Sequence, residues 1–190
     1  MKSMNWQRSI DQIMLTGAGG ENRILGLTSI RRGAGVSLIS RALARTVACA
    51  GMKVLLVDLS EATGVVSREE VGGDLPCNIR DLIEPSECGY DVLVGHSDET
   101  HEKALCNLPR LQRAFASELT DYACVVVDLP PVLNEEELGV NSVAAGAMCD
   151  RLLLVTRIGK DKRREMTDVV SLFAGAGVHP SALLANEFRG

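Results

Sequence analysis

Residues 24–44 read ILGLTSIRRGAGVSLISRALA. Apolar residues 24–30 suit a short strand, a glycine-bearing turn fills 31–35, and Leu38, Ile39, Leu43 and Val47 then recur at helical spacing. Strand, glycine turn and helix in that order make a phosphate-loop layout. Glycines let such a loop curl until successive N–H groups and the helix N-terminus aim at one anion, and a hydroxyl just inside the helix coordinates Mg²⁺. Gly33, Gly35 and Ser37 stand where that chemistry needs them. The lysine that reaches the β- and γ-phosphates in these loops is missing, because its place between Gly35 and Ser37 is taken by Val36.

That substitution governs the functional reading. A charge-assisted hydrogen bond is worth roughly 1.5–3 kcal/mol, so losing the lysine weakens a bound triphosphate by about ten- to a hundredfold. Turnover suffers more, since the lysine also neutralises charge developing in the transition state. Arg31 and Arg32 lie in the same turn. They have two readings, as a replacement for part of the missing charge or as a solvated loop tip.

The rest of the chain supplies a sheet around this loop. Residues 53–59, KVLLVDL, form a near-continuous apolar run of the kind buried on both faces of a parallel sheet, and they close on Asp58. Residues 122–133, YACVVVDLPPVL, repeat the pattern and end on Asp128. An acid at the carboxyl end of a strand sits on the rim where α/β ligands bind, so Asp128 is the natural Mg²⁺ or water partner of Ser37. Further strands are predicted at 90–95, 151–156 and 182–185, and helices at 108–119 and 161–174, with a short helix at 78–83 and a helix start at Glu135 to Glu137. This alternation predicts an α/β fold, a doubly wound, mostly parallel sheet with helices on both faces. Residues 1–20 read as an N-terminal arm with an amphipathic helix over 4–15, and 21–190 as one domain.

A 190-residue chain that is 46% hydrophobic suffices for one well-cored α/β domain. A net charge of -5 and 3% aromatic residues leave neither a basic footprint nor a stacking platform, so nucleic acid is not expected as a partner. No stretch approaches the length of a membrane span, and the N-terminal apolar runs are broken by Gln, Arg and Asp, which points to the cytoplasm. The six cysteines never approach C-x-x-C spacing and read as small buried hydrophobes in a reducing compartment. His96 and His101 lie in an acidic stretch without ligand spacing and read as solvated, as does the mixed-charge run 160–165 at a helix start. Residues 60–89 lose periodicity and read largely as a functional loop.

Taken together, TSIRRGAGVS, VLLVDLS, YACVVVDLPPVL, LLLVTRIG and LLAN resemble the cytoplasmic domain of bacterial tyrosine kinases and related capsule and exopolysaccharide proteins, a branch of the MinD/ParA-like P-loop ATPases. The likeness covers nearly the whole chain, and the D-x-P-P ending at Asp128 is its most specific element. It implies that Gly33, Ala34, Gly35, Val36, Ser37 and Leu38 form the phosphate loop. It makes Asp58 the second acidic motif, near Mg²⁺ and the attacking hydroxyl, and Asp128 the Walker B acid, with Asn186 contacting adenine. It also implies ATP or ADP with Mg²⁺ as ligand, bound weakly or not at all without the lysine. Several positions depart from the family. Ser60 stands where the kinases carry a second Asp, Asn5, Arg8 and Asp11 keep one residue of the E-x-x-R-x-x-R spacing used in ring packing, and the only tyrosines are Tyr90 and Tyr122.

Three functions compete. The expectation is a pseudo-enzyme, a regulatory or assembly partner of a membrane polysaccharide co-polymerase that binds the cytoplasmic tails of an inner-membrane chain-length protein and assembles as a homo- or hetero-oligomer. Such a protein is cytoplasmic, or held at the inner membrane through its partner. The second is a working ATPase or tyrosine-kinase-like enzyme in which Arg31 or Arg32 replaces the lysine. The third is a MinD/ParA-type positioning protein. The acids also have a structural reading, Asp58 and Asp128 pairing with Arg31 or capping loop amides.

Overall fold

The computed structural model describes residues 23–60, 78–94, 99–133 and 140–187, with backbone alone for 99–102. Strands β1 (Ile24–Ser29), β2 (Val54–Asp58), β3 (Glu84–Pro85), β4 (Asp91–Val94), β5 (Cys124–Asp128), β6 (Arg151–Arg157) and β7 (Ala182–Asn186) form one seven-stranded sheet in the order β3-β4-β2-β5-β1-β6-β7. Every pairing is parallel except β3 with β4. Helices α1 (Val36–Cys49), α2 (Glu99–Cys106), α3 (Leu108–Ser117), α4 (Ser142–Gly146) and α5 (Arg163–Gly175) lie between them, with a 3₁₀ turn at Ile79–Leu82.

Successive residues of a strand point to opposite faces, and here each face has its own core. Leu55, Val57, Val125, Val127, Leu152 and Leu154 join Leu111 and Phe115 of α3 and Val169 and Phe173 of α5. Their neighbours Val54, Leu56, Val126, Leu153 and Val155 join Ile39, Leu43 and Val47 of α1. Unbroken apolar runs are therefore what these strands need, since both sides are covered. The expected doubly wound sheet with helices on both faces is the observed one.

The strands predicted at 90–95 and 182–185 and the helices at 108–119 and 161–174 agree with the structure to within two residues at each end. Two helices were not legible. α2 has buried side chains only at Ala104 and Leu105 among those described, too few to make a stripe. α4 is five residues of small side chains, held at its start by Asn141 Oδ1, which accepts from the amides of Val143 and Ala144. Small residues are required there: a Cβ on Gly146 would lie 3.1 Å from Phe173, and one on Gly26 would lie 2.6 Å from Cys149 Sγ.

The cysteine reading needs correction, because Cys49 and Cys88 are exposed while Cys124 is buried and Cys106 and Cys149 are half-buried. The N-terminal arm, His96, Glu135 to Glu137, most of the irregular stretch after residue 60, and Asn5, Arg8 and Asp11 lie outside the described residues, as does the side chain of His101. Among the described residues no helix is long and apolar enough to cross a membrane.

Candidate functional site

β1 delivers the chain to the carboxyl edge of the sheet, and the turn after it bends through two left-handed glycines, Gly33 at φ +81° and Gly35 at φ +83°. A side chain is disfavoured in that region, so glycine at both places is what lets the loop curl. Gly35 is also the N-cap of α1, with no side chain capping the helix. The first helical bond runs from Ile39 N–H to the Gly35 carbonyl at 3.0 Å. Among the described residues, no backbone carbonyl accepts from the amides of residues 33–38. Unfilled donors at a helix start, with the positive end of the dipole behind them, attract an anion.

These amides border a cavity of about 280 Å³, at the small end of the roughly 300–1,000 Å³ typical of ligand clefts. Its wall includes Arg32, Gly33, Ala34, Gly35, Val36, Ser37, Leu38 and Asp128. Eight of the predicted positions therefore meet at one place. Arg31, Asp58 and Asn186 are not on that wall. Ser29, Ser60, Leu129 and Pro131 are, and sequence reasoning assigned none of them a binding role. Pro131 could have been found from the D-x-P-P ending, which runs on past β5 beside β1: Leu129, Val132 and Leu133 donate to the carbonyls of Leu27, Ser29 and Ile30 at 2.8–2.9 Å. The Pro130 carbonyl is fixed by the hydroxyls of Thr28 (2.7 Å) and Ser142 (2.6 Å).

Val36 is 8% exposed and belongs to the apolar cluster with Ala34, Ile39 and Leu43. The position that carries a cation in a working loop is thus partly turned into the core. Asp128 is buried at 1% exposure, and its Cα pairs in register with Asp58 on the neighbouring strand. Asp58 sits one residue behind the wall: its Oδ1 accepts from the hydroxyl of the wall residue Ser60 at 2.6 Å and from the Ser60 amide at 3.1 Å, and its Oδ2 lies 3.6 Å from Arg41 of α1. The expected partner of the acids, Arg31, instead reaches Glu165 of α5 at 3.4 Å. Arg31 is not on the cavity wall, and its contact with α5 is one no local pattern announces.

Ser37 and Asp128 on one cavity wall suit Mg²⁺, which binds through one or two protein oxygens plus phosphate oxygens and retained water. Among the described residues no three His, Cys, Asp or Glu side chains gather into a metal site by themselves. Two further side chains grip the loop from outside. Arg157 Nη1 donates to the Arg32 carbonyl at 3.2 Å, and Asn186 Nδ2 donates to the Ala34 carbonyl at 2.8 Å. Asn186, expected to contact adenine, is 6% exposed, and its side-chain amide meets the loop backbone.

The perturbed titrating groups lie at the opposite, amino end of the strands. There Asp121 is held well below the carboxylate range by hydrogen bonds from Arg80 and Lys53. Burial, with a hydrogen bond to Asp91, pushes the Tyr122 hydroxyl well up. That network braces the sheet and is no part of the cavity.

No family model matches the chain. A curated relative does: tyrosine-protein kinase CpsD of Streptococcus agalactiae is 29% identical over 162 residues, 77% of this chain and 67% of the relative. The chain is a relative of the bacterial tyrosine kinases. The kinase domain of the Escherichia coli tyrosine kinase ETK superposes with a TM-score of 0.73 at 21% identity, over 97% of this chain and 76% of that one. The septum site-determining protein MinD of Pyrococcus horikoshii, solved with Mg-ADP, superposes at 0.65 with 19% identity, over 87% of this chain and 70% of that one. Both likenesses establish the MinD/ParA-like P-loop fold. The chain spans about two thirds of the streptococcal kinases' length, and 24% of a matched Ralstonia solanacearum relative.

Proposed function

We propose that this tyrosine-kinase relative is a P-loop pseudo-enzyme in which Mg-nucleotide binding is weak or lost. We further propose that it serves as a regulatory or assembly partner of a membrane polysaccharide co-polymerase in exopolysaccharide or capsule synthesis. One observation carries the reading: the position of the phosphate lysine holds a valine that is packed in the core with Ala34, Ile39 and Leu43. The loop curl, the open amides, Ser37 and Asp128 remain, so an anion still has somewhere to sit, while the group that would stabilise a migrating phosphoryl is absent. The proposed partner is the cytoplasmic tail of a chain-length protein, and the domain's oligomeric state would bias polymer length or export.

A second reading, an active ATPase or kinase, is favoured by Arg32, a permanently charged residue that lines the cavity. Arg31 does not share that role. Calorimetric titration of the natural protein with ATP and ADP, each with Mg²⁺, and assay of phosphate release separate the two. The pseudo-enzyme reading expects millimolar or no binding and no release above buffer. Micromolar binding with turnover that disappears in Arg32→Ala would replace it with the second.

A further inference from the structure

We infer that Arg157 and Asn186 are positioning residues that hold the phosphate loop in its anion-binding curl from outside, in the absence of a lysine within it. A trans peptide unit is planar, with its carbonyl and its N–H on opposite sides. The Arg32 carbonyl shares its unit with the Gly33 amide, and the Ala34 carbonyl shares its unit with the Gly35 amide. Arg157 Nη1 takes the first carbonyl at 3.2 Å and Asn186 Nδ2 takes the second at 2.8 Å, and neither side chain is on the cavity wall. Drawing those two carbonyls outward turns the Gly33 and Gly35 amides the other way, toward the cavity.

The clamp is itself braced. Arg157 Nε and Nη2 both donate to Asp161 Oδ1, at 2.9 and 2.7 Å, and the Arg157 amide donates to Asp161 Oδ2 at 2.7 Å. The Asp161 carboxylate is 1% exposed, so the guanidinium is pinned by a buried acid rather than swinging in solvent. Arg157 and Asn186 are register partners at the carboxyl ends of β6 and β7, which places both grips on one rigid ledge. The orientation of the Asn186 amide follows from its partner, since a carbonyl accepts only from the nitrogen. A Cβ on Gly35 would come 2.9 Å from that nitrogen, so loop and clamp are fitted closely.

The anion-binding consequence rests on the functional reading above, whereas the clamp itself is testable without any ligand. Amide order parameters of Gly33, Ala34 and Gly35 are measured by ¹⁵N relaxation in the ligand-free natural protein, in Asn186→Asp, which keeps the shape but cannot donate, and in Arg157→Lys. Values near the rigid backbone level of about 0.85 are expected in the natural protein, falling toward about 0.6 in the variants. Unchanged values in both variants overturn the clamp. Asp161→Asn, which loosens Arg157 without touching the loop, is expected to act in the same direction. Inorganic tripolyphosphate, ATP and GTP are then titrated. A clamp predicts that Asn186→Asp weakens all three alike, by roughly tenfold, about 1.4 kcal/mol, whereas loss confined to ATP would make Asn186 a base reader and overturn the assignment. If the natural protein binds none of the three while the order parameters still fall, the clamp stands and phosphate binding by this site is what fails.

Discussion

Replacing Val36 by lysine sets two effects against each other that the structure lets us size separately. Val36 is 8% exposed among Ala34, Ile39 and Leu43, and burying a valine side chain is worth about 1.5–3 kcal/mol. Lysine leaves most of that apolar contact unfilled, and as the first residue of α1 it also puts a positive charge at the positive end of the helix, at a cost of about 0.3–1 kcal/mol. The ligand-free variant is therefore expected to lose about 2 kcal/mol, a fall in melting temperature of roughly 4–8 °C for a chain of this size. With phosphate present the sign reverses. A charge-assisted hydrogen bond of about 1.5–3 kcal/mol tightens MgATP and MgADP by roughly ten- to a hundredfold. Thermal melts without ligand and calorimetric titration with each nucleotide give both numbers. A variant that melts lower and binds tighter confirms a sound loop lacking one charge. Equal affinity in the two proteins would refute the reasoning, since it would mean that some other group already supplies the charge.

Arg32→Ala is expected to weaken tripolyphosphate by about tenfold, and Arg31→Ala by less than about twofold. Arg32 lines the cavity and Arg31 faces Glu165, so equal effects would overturn that division. Gly26→Ala forces a Cβ to 2.6 Å from Cys149 Sγ. Overpacking of this kind costs about 1–3 kcal/mol, and Cys149→Ala in the same chain should restore most of it; additive losses in the double-mutant cycle would show that the contact is not the cause. Burial pushes the Cys149 thiol up to about 12 and the Cys124 thiol up to about 11. Native alkylation at pH 8 is therefore expected at the exposed Cys49 and Cys88 and withheld from Cys124 and Cys149, as peptide mass spectrometry would read. Folded-state values raised above the unfolded ones keep their stabilisation below about pH 8.5 and lose it as pH rises through 11 to 12. Melting temperatures should thus decline on the alkaline side, and a flat profile from pH 8 to pH 11 would count against both burials.

The sequence by itself determined the sheet, the loop and its missing lysine. Those features are local: a run such as VLLVD has to be covered on both faces whatever the rest of the chain does, and a Gly-x-Gly turn before an amphipathic helix can curl in few ways. It likewise placed Ser37 and Asp128, because a helix start and a strand end fix where a side chain emerges. The tertiary structure alone decided which groups share a cavity and which are drawn off. Arg31 and Arg32 are neighbours in sequence, yet Arg31 reaches Glu165 of α5 while Arg32 is on the cavity wall. Asp58 and Asp128 end similar strands, yet only Asp128 is on the cavity wall, while Asp58 is bonded to Ser60 and lies beside Arg41. Arg157 and Asn186 reach the loop across 125 and 152 residues of chain. Such partnerships carry no periodicity or spacing, since they depend on which elements the strand order brings side by side, and that order is settled by burying both faces of the sheet at once.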